Sequence, residues 1–337
     1  MAPIDLRSDT VTRPTPEMLA AMSTAPLGDD GQDGDPTTAR LQTLAAAKVG
    51  KEAALFVPSG TMGNLLGALC WTSPGDEVVL PREAHSYNFE HNGLAAVASL
   101  LAVTVAGVRG HLTADELKAV LADSVPRGPG PKLAWLENTA NLAGGTVQTP
   151  AEAQAVCDVA HAAGMKVHLD GARLFNAAVA LGVPAADIAA PVDSVSFCLS
   201  KGLGCPVGSL LCGSADFIAR ATLRRRQLGG GLRQSGVITA AGLIALETGI
   251  DRLAEDHANA RWLAERLAAM PGVELDPASV ETNIVWFRCA DVDWPRRCRE
   301  AGVLISSLGD GRCRVVTHRD VGRADVERAA EVMAGAF

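Results

Sequence analysis

The chain has 337 residues, 48% hydrophobic and 20% charged, and its 38 acidic against 30 basic side chains give a net charge of −8. This length suits a large α/β domain plus a smaller one, and the apolar content rules against a disordered chain. The acidic balance works against binding to nucleic acid or an anionic membrane, which leaves small-molecule chemistry as the default. The eight cysteines are scattered without a C-x-x-C pair, the pattern of a reducing compartment rather than of a zinc site or a disulfide scaffold. No apolar run after Met1 reads as a signal peptide, and none approaches the ~20 residues of a membrane span. A cytoplasmic protein is expected.

In chain order, helix signals at Pro36 to Val49, Gly63 to Leu69, Ala114 to Leu121, Pro150 to Ala163 and Phe217 to Arg226 alternate with short apolar runs. The runs are Ala53 to Val57, Glu77 to Leu80, Lys132 to Leu136, Lys166 to Leu169, Ser194 to Leu199 and Val207 to Cys212. Short continuous runs of this kind are strands buried on both faces, so a mostly parallel sheet covered by helices is predicted. An Ala-rich stretch from Thr239 through Met270 then reads as one or two helices. Beyond it, strands are predicted at Val273 to Leu275, Asn283 to Phe287, Val303 to Ser306 and Arg312 to Thr317, with helices at Trp294 to Ala301 and Arg323 to Ala336. This divides the chain into an N-terminal segment and large domain, 1–250, and a small C-terminal α/β domain, 251–337. The first twenty-odd residues are expected near the junction.

Three constellations carry chemistry. Ser59-Gly60-Thr61-Met62-Gly63-Asn64 joins a strand to a helix, where glycines, hydroxyls and free N–H groups suit an anion such as phosphate. It reads equally as an ordinary Gly-rich turn before a capped helix. In His168-Leu169-Asp170-Gly171-Ala172-Arg173 a carboxylate ends an apolar strand, where it can keep a ring nitrogen protonated or merely form a turn. In Ser196 to Gly204, Lys201 ends another apolar run, and a lysine desolvated there can attack a carbonyl. The order of phosphate cradle, strand-end Asp and strand-end Lys describes a pyridoxal-phosphate (PLP) site. The basic run Arg224-Arg225-Arg226 is too short and isolated for nucleic acid and reads as a helix end or subunit contact. His91, His111, His161 and His257 have no metal-ligand spacing, and no metal is expected.

These stretches, with Asp5-Leu6-Arg7-Ser8-Asp9-Thr10-Val11-Thr12, Gly229-Gly230-Gly231-Leu232-Arg233-Gln234 and Val316-Thr317-His318, closely resemble the low-specificity L-threonine aldolases from about residue 4 to about residue 330. The resemblance implies the aspartate-aminotransferase-like fold and PLP carried as a Schiff base on Lys201. It also implies a homo-oligomer, dimer or tetramer, with active sites between subunits. It assigns Asp170 to the ring nitrogen, His85 to stacking on the ring and proton transfer, and Ser59, Gly60, Thr61 and Asn64 to the phosphate. Arg173, Arg314 and Ser8 would bind the substrate carboxylate, with Arg173 bordering the cofactor too, and Arg233 would reach a phosphate across the subunit interface.

Two positions depart from the family pattern. Ala140 stands where a histidine near the substrate's β-hydroxyl is usual, and Gln32 where a tyrosine is usual. Both changes touch the β-substituent side, so retro-aldol cleavage of a β-hydroxy-α-amino acid is expected, threonine, allo-threonine or a bulkier phenylserine-like compound. The nearest alternative is a PLP-dependent β-elimination from a serine or cysteine derivative, giving a keto acid and ammonia. A nucleotide-dependent oxidoreductase is disfavoured, since no G-x-G-x-x-G follows a first strand. A non-catalytic PLP-binding protein is disfavoured by the intact Lys201, Asp170 and Arg173.

Overall fold

Apolar runs too short for a helix and buried along their whole length must pair on both edges and be covered on both faces. Ser194–Cys198 is buried at every residue, and Lys166–Asp170 at all but its first. The computed structural model describes residues 3–123 and 130–336. It places both strands in the middle of a seven-stranded sheet.

Across the sheet the strands run Ala53–Val57, Ser209–Gly213, Ser194–Cys198, Lys166–Asp170, Pro131–Glu137, Glu77–Pro81 and Leu101–Val105. Every neighbouring pair is parallel except those made by Ser209–Gly213, which is antiparallel to both neighbours. The carboxyl ends of the parallel strands therefore share one edge of the sheet, the edge where open α/β sheets take their ligands. Glu137 and Asp170 sit side by side there in register.

The sheet's helices bury Leu41, Leu136, Val156, Leu169, Val195, Phe197 and Leu246 in one large core. Capping fixes several of their starts. Thr149 and Glu152 form a reciprocal box ahead of Pro150–Ala162, and Asp35 caps Pro36–Lys48. The helix predicted from Gly63 runs Gly60–Trp71, because the Ser59 side chain accepts the Met62 N–H and draws the glycines into its first turn.

The long Ala-rich stretch is two helices, Gly236–Thr248 and Leu253–Ala268. The edge strand Leu101–Val105 lacked a buried-run signature because its outer side is unpaired and Leu101 is exposed. The strand predicted from Val207 begins at Ser209. The one predicted over Val303 to Ser306 is two pieces with different partners.

A second core gathers Leu263, Val285, Phe287, Trp294, Val315 and Met333. It lies against a four-stranded antiparallel sheet ordered Ser306–Ser307, Arg312–Val316, Ile284–Cys289 and Val273–Glu274. The N-terminal strand Ile4–Asp5 pairs in parallel with Val303–Leu304, and Ile4 and Leu6 join this second core. Thr12 then crosses to the large sheet, where its hydroxyl donates to the Lys201 carbonyl at 2.8 Å. No helix among the described residues is long and apolar enough to cross a membrane.

Candidate active site

At the carboxyl edge of the sheet the chain leaves Val57 and enters the helix Gly60–Trp71, whose N-terminus faces a cavity of about 260 Å³. A Cβ added at Gly60 would lie 2.9 Å from Cys198 Sγ, so the turn passes close to the strand that leads to Lys201. Ser59, Gly60, Thr61, Asn64, His85, Asp170 and Lys201 all line this cavity, although 142 positions separate the first from the last.

Asp170 ends its strand buried, 2% exposed. Its Oδ1 accepts the Ala172 N–H (3.0 Å), and its Oδ2 accepts from Asn64 Nδ2 (2.8 Å). Asn64 is oriented in turn by the Ser196 hydroxyl, which donates to its Oδ1 at 2.9 Å. Its amide nitrogen is committed to Asp170 and, at 2.8 Å, to Glu90 Oε1. With both amide hydrogens spent, the Asn64 side chain positions Asp170 rather than donating to a phosphate.

His85 begins a single helical turn after the strand Glu77–Pro81. Its backbone N–H donates to Glu137 Oε2 (2.6 Å), and its Nδ1 lies 2.9 Å from Glu90 Oε1. Glu137 also accepts the Asn141 N–H at 2.8 Å. Burial, reinforced by the charge of Asp170 on the next strand, pushes the Glu137 carboxyl up to about 7 despite those two donors.

A second charged group forms from distant segments around Arg173, which lines an adjoining pocket with Cys198 and Lys201. Arg173 donates to both oxygens of Asp9, from Nε at 2.8 Å and Nη2 at 2.7 Å, and both side chains are buried. Burial pushes the Asp9 carboxyl up, but Arg173, with help from Lys201, holds it well below the usual carboxylate range. Asn141 Oδ1 accepts from Arg173 Nη1 (3.4 Å) and Arg314 Nη1 (3.0 Å), bringing two guanidinium groups onto one oxygen. Arg314 also donates to the Arg7 carbonyl and lies over the Trp286 ring, 5.7 Å from its centroid. Burial, with Arg173 nearby, lowers Arg314 to about 10, and its Nε is buried without a partner among the described residues. Such a site gains from an incoming anion with paired acceptors. Ser8 caps the short turn Asp9–Val11, with its oxygen 3.2 Å from the Thr10 N–H.

Arg233 is not brought to this cavity. It lines a separate surface basin with Arg225, Arg226 and Gln32, its side chain 68% exposed and 3.5 Å from Asp29. Ala140 is buried, and a Cβ on Gly110 would come within 2.9 Å of its own. Glu90, Glu137, Asp9 and Asn141 had not been read as site residues. Glu137 has the signature that marked Asp170, a charge ending an apolar strand. The other three carry no local signal and gain meaning only from their partners.

The sequence matches the beta-eliminating lyase family over residues 5–290. It is 41% identical to the low-specificity L-threonine aldolase 1 of Arabidopsis thaliana, covering 97% of this chain and 94% of that protein. The fold superposes on a threonine aldolase of Leishmania major with a TM-score of 0.85 at 21% identity, covering 98% of each chain. It superposes on SPT solved with a PLP internal aldimine with a TM-score of 0.76 at 16% identity, covering 99% of this chain and 87% of that one. The architecture is thus the aspartate-aminotransferase-like α/β fold.

Proposed function

The chain belongs to the beta-eliminating lyase family, and from that premise we propose a PLP-dependent aldolase that cleaves L-β-hydroxy-α-amino acids between Cα and Cβ to glycine and an aldehyde. One observation carries the reading. A lysine, a buried carboxylate and a helix N-terminus converge on one cavity, and the buried Arg173, which lines an adjoining pocket with Lys201, is joined through Asn141 to the half-buried Arg314. That donor set fits PLP: a carboxylate for the ring nitrogen, an amine within reach, and N–H and hydroxyl groups for the phosphate.

PLP, when bound, supplies an electron sink for the carbanion that Cα–Cβ cleavage leaves. The chain's own residues have separate tasks in this reading. Lys201 holds the cofactor, and Asp170, steadied by Asn64 and Ala172, keeps a proton on the ring nitrogen. Ser59, Gly60 and Thr61 offer the phosphate the open end of their helix. Arg173 and Arg314, aided by Ser8, grip the substrate carboxylate and so orient the bond to be broken. The buried unpartnered Nε of Arg314 supports that role. His85, directly or through a water, takes the β-hydroxyl proton.

The small side chain at Ala140 supports acceptance of bulkier, phenylserine-like substituents alongside threonine and allo-threonine. Arg233, exposed and away from the Lys201 cavity, supports a homo-oligomer in which it serves a neighbouring subunit's phosphate. Eight free cysteines, seven of them buried, support a cytoplasmic setting. We also place the division between the two domains near residue 250, since membership passes from one core to the other between Leu253 and Ala260.

The test is to supply PLP and a panel of threonine, allo-threonine and phenylserine, and to measure glycine, aldehyde and keto acid together. Glycine with equimolar aldehyde, abolished along with the bound cofactor's visible absorbance in Lys201→Ala, is expected. Keto acid with ammonia would replace the reading with β-elimination.

A further inference from the structure

His85 is gripped at two points by different carboxylates. Glu137 takes its backbone N–H, and Glu90 Oε1 lies 2.9 Å from its ring Nδ1. Glu90 is 6% exposed and stands five residues along, just past the helical turn His85–Asn88. The same Glu90 oxygen accepts from Asn64 Nδ2, whose remaining hydrogen goes to Asp170 Oδ2. One amide group thus separates two buried carboxylates, and ligand atoms of His85, Glu90 and Asp170 lie within 4.8 Å of one another. Asn64 cannot turn over, because its amide oxygen would then face both carboxylates at 2.8 Å.

A carboxylate only accepts, so the imidazole nitrogen that faces it carries the proton. In the neutral ring the lone pair then lies on the other nitrogen. His85 Nε2 has no partner among the described residues, and the ring borders the cavity that holds Lys201. We infer that Glu90 is the positioning residue for His85: it selects the Nδ1–H tautomer, presents Nε2 to the cavity as a base, and is tied through Asn64 to Asp170. The opposite tautomer would offer the substrate an N–H, which cannot take a β-hydroxyl proton. The inference deepens the aldolase reading and rests on it for the reaction, while the tautomer itself does not depend on turnover.

The tautomer is read by nitrogen NMR of the full-length chain with ¹⁵N-labelled histidine, with and without PLP, assigning His85 by the signals lost in His85→Asn. Wild type should show Nδ1–H. Glu90→Gln should keep it, since its amide oxygen still accepts from both His85 and Asn64, whereas Glu90→Ala should lose the preference. In turnover Glu90→Ala should lose about tenfold to a hundredfold in kcat with KM within about threefold, and Glu90→Gln should recover most of it. Nε2–H in the wild type, or an unchanged tautomer in Glu90→Ala, overturns the inference. So does an equal kcat loss in both variants. Retained cofactor absorbance checks that each variant is folded. Absence of glycine from every substrate would sink the aldolase reading instead, leaving the tautomer result to decide Glu90 on its own.

Discussion

Asp256 pays for burial without full pairing. The residue is 0% exposed, Oδ1 pairs with Arg252 Nη2, and Oδ2 has no partner among the described residues. Burial pushes its carboxyl up to about 7, outweighing Arg252, with Asp9 and Glu255 adding to the rise. Because the folded value lies above the ordinary 3.8, the contribution to stability is whole below about pH 4 and is lost as pH rises through 7. Asp256→Asn, which mimics the neutral acid, should match wild type near pH 4 and exceed it by about 1–3 kcal/mol near pH 8. Urea midpoints across that range check this, and coincident curves at pH 8 would refute it. Asp9 has the opposite sign: Arg173 lowers its value, so its contribution is present above about pH 4 and is lost only in stronger acid. At this scale Asp170 and Lys201 were legible because each is a charge ending an apolar run. Asp9 was not, since its partner Arg173 stands 164 positions away, and Glu90 was not, since no pattern in the sequence says that the His85 ring, five residues back, turns toward it.

The helix Gly60–Trp71 sets how closely the cavity-facing end approaches the sheet. A Cβ at Gly67 would lie 2.6 Å from the His168 ring, which cannot retreat. Ser194 Oγ holds that ring at 2.8 Å, and Trp135 packs against it with centroids 4.6 Å apart. Alanine gains about 1 kcal/mol of helix propensity over glycine, but overpacking a fixed core neighbour costs about 1–3 kcal/mol. Gly67→Ala should therefore lower the thermal midpoint and weaken PLP binding by displacing Asn64, one turn earlier. A raised midpoint would mean that the helix can lift freely. Alternating propensity located this helix but missed its start by three residues. Gly60 reads as loop until the Ser59 cap and the close passage by Cys198 explain why a glycine opens the helix.

Over the whole molecule, the N-terminal arm joins the two cores to the site. Ile4–Asp5 adds a strand beside Val303–Leu304, Leu6 is buried, Asp9 balances Arg173, and Thr12 reaches the Lys201 carbonyl. Deleting residues 1–12 strips a buried guanidinium of its partner, a loss worth about 3–5 kcal/mol, beyond the apolar contacts. Calorimetry should show a clearly lower unfolding midpoint, and carboxylate ligands should bind more weakly. A midpoint unchanged by the deletion would show the arm to be ornamental. The sequence by itself determined the mostly parallel sheet and the α/β class, and it marked Asp170 and Lys201 as charges that follow apolar runs, because burial on both faces and a charge after such a run are written in consecutive residues. Only the tertiary structure decided that Glu90 holds His85, that Asn141 joins Arg173 to Arg314, and that Arg233 faces away from the cavity. Those outcomes depend on where the folded chain turns each side chain, within one loop for Glu90 and His85 and between distant segments for the others, and such contacts leave no local periodicity to read.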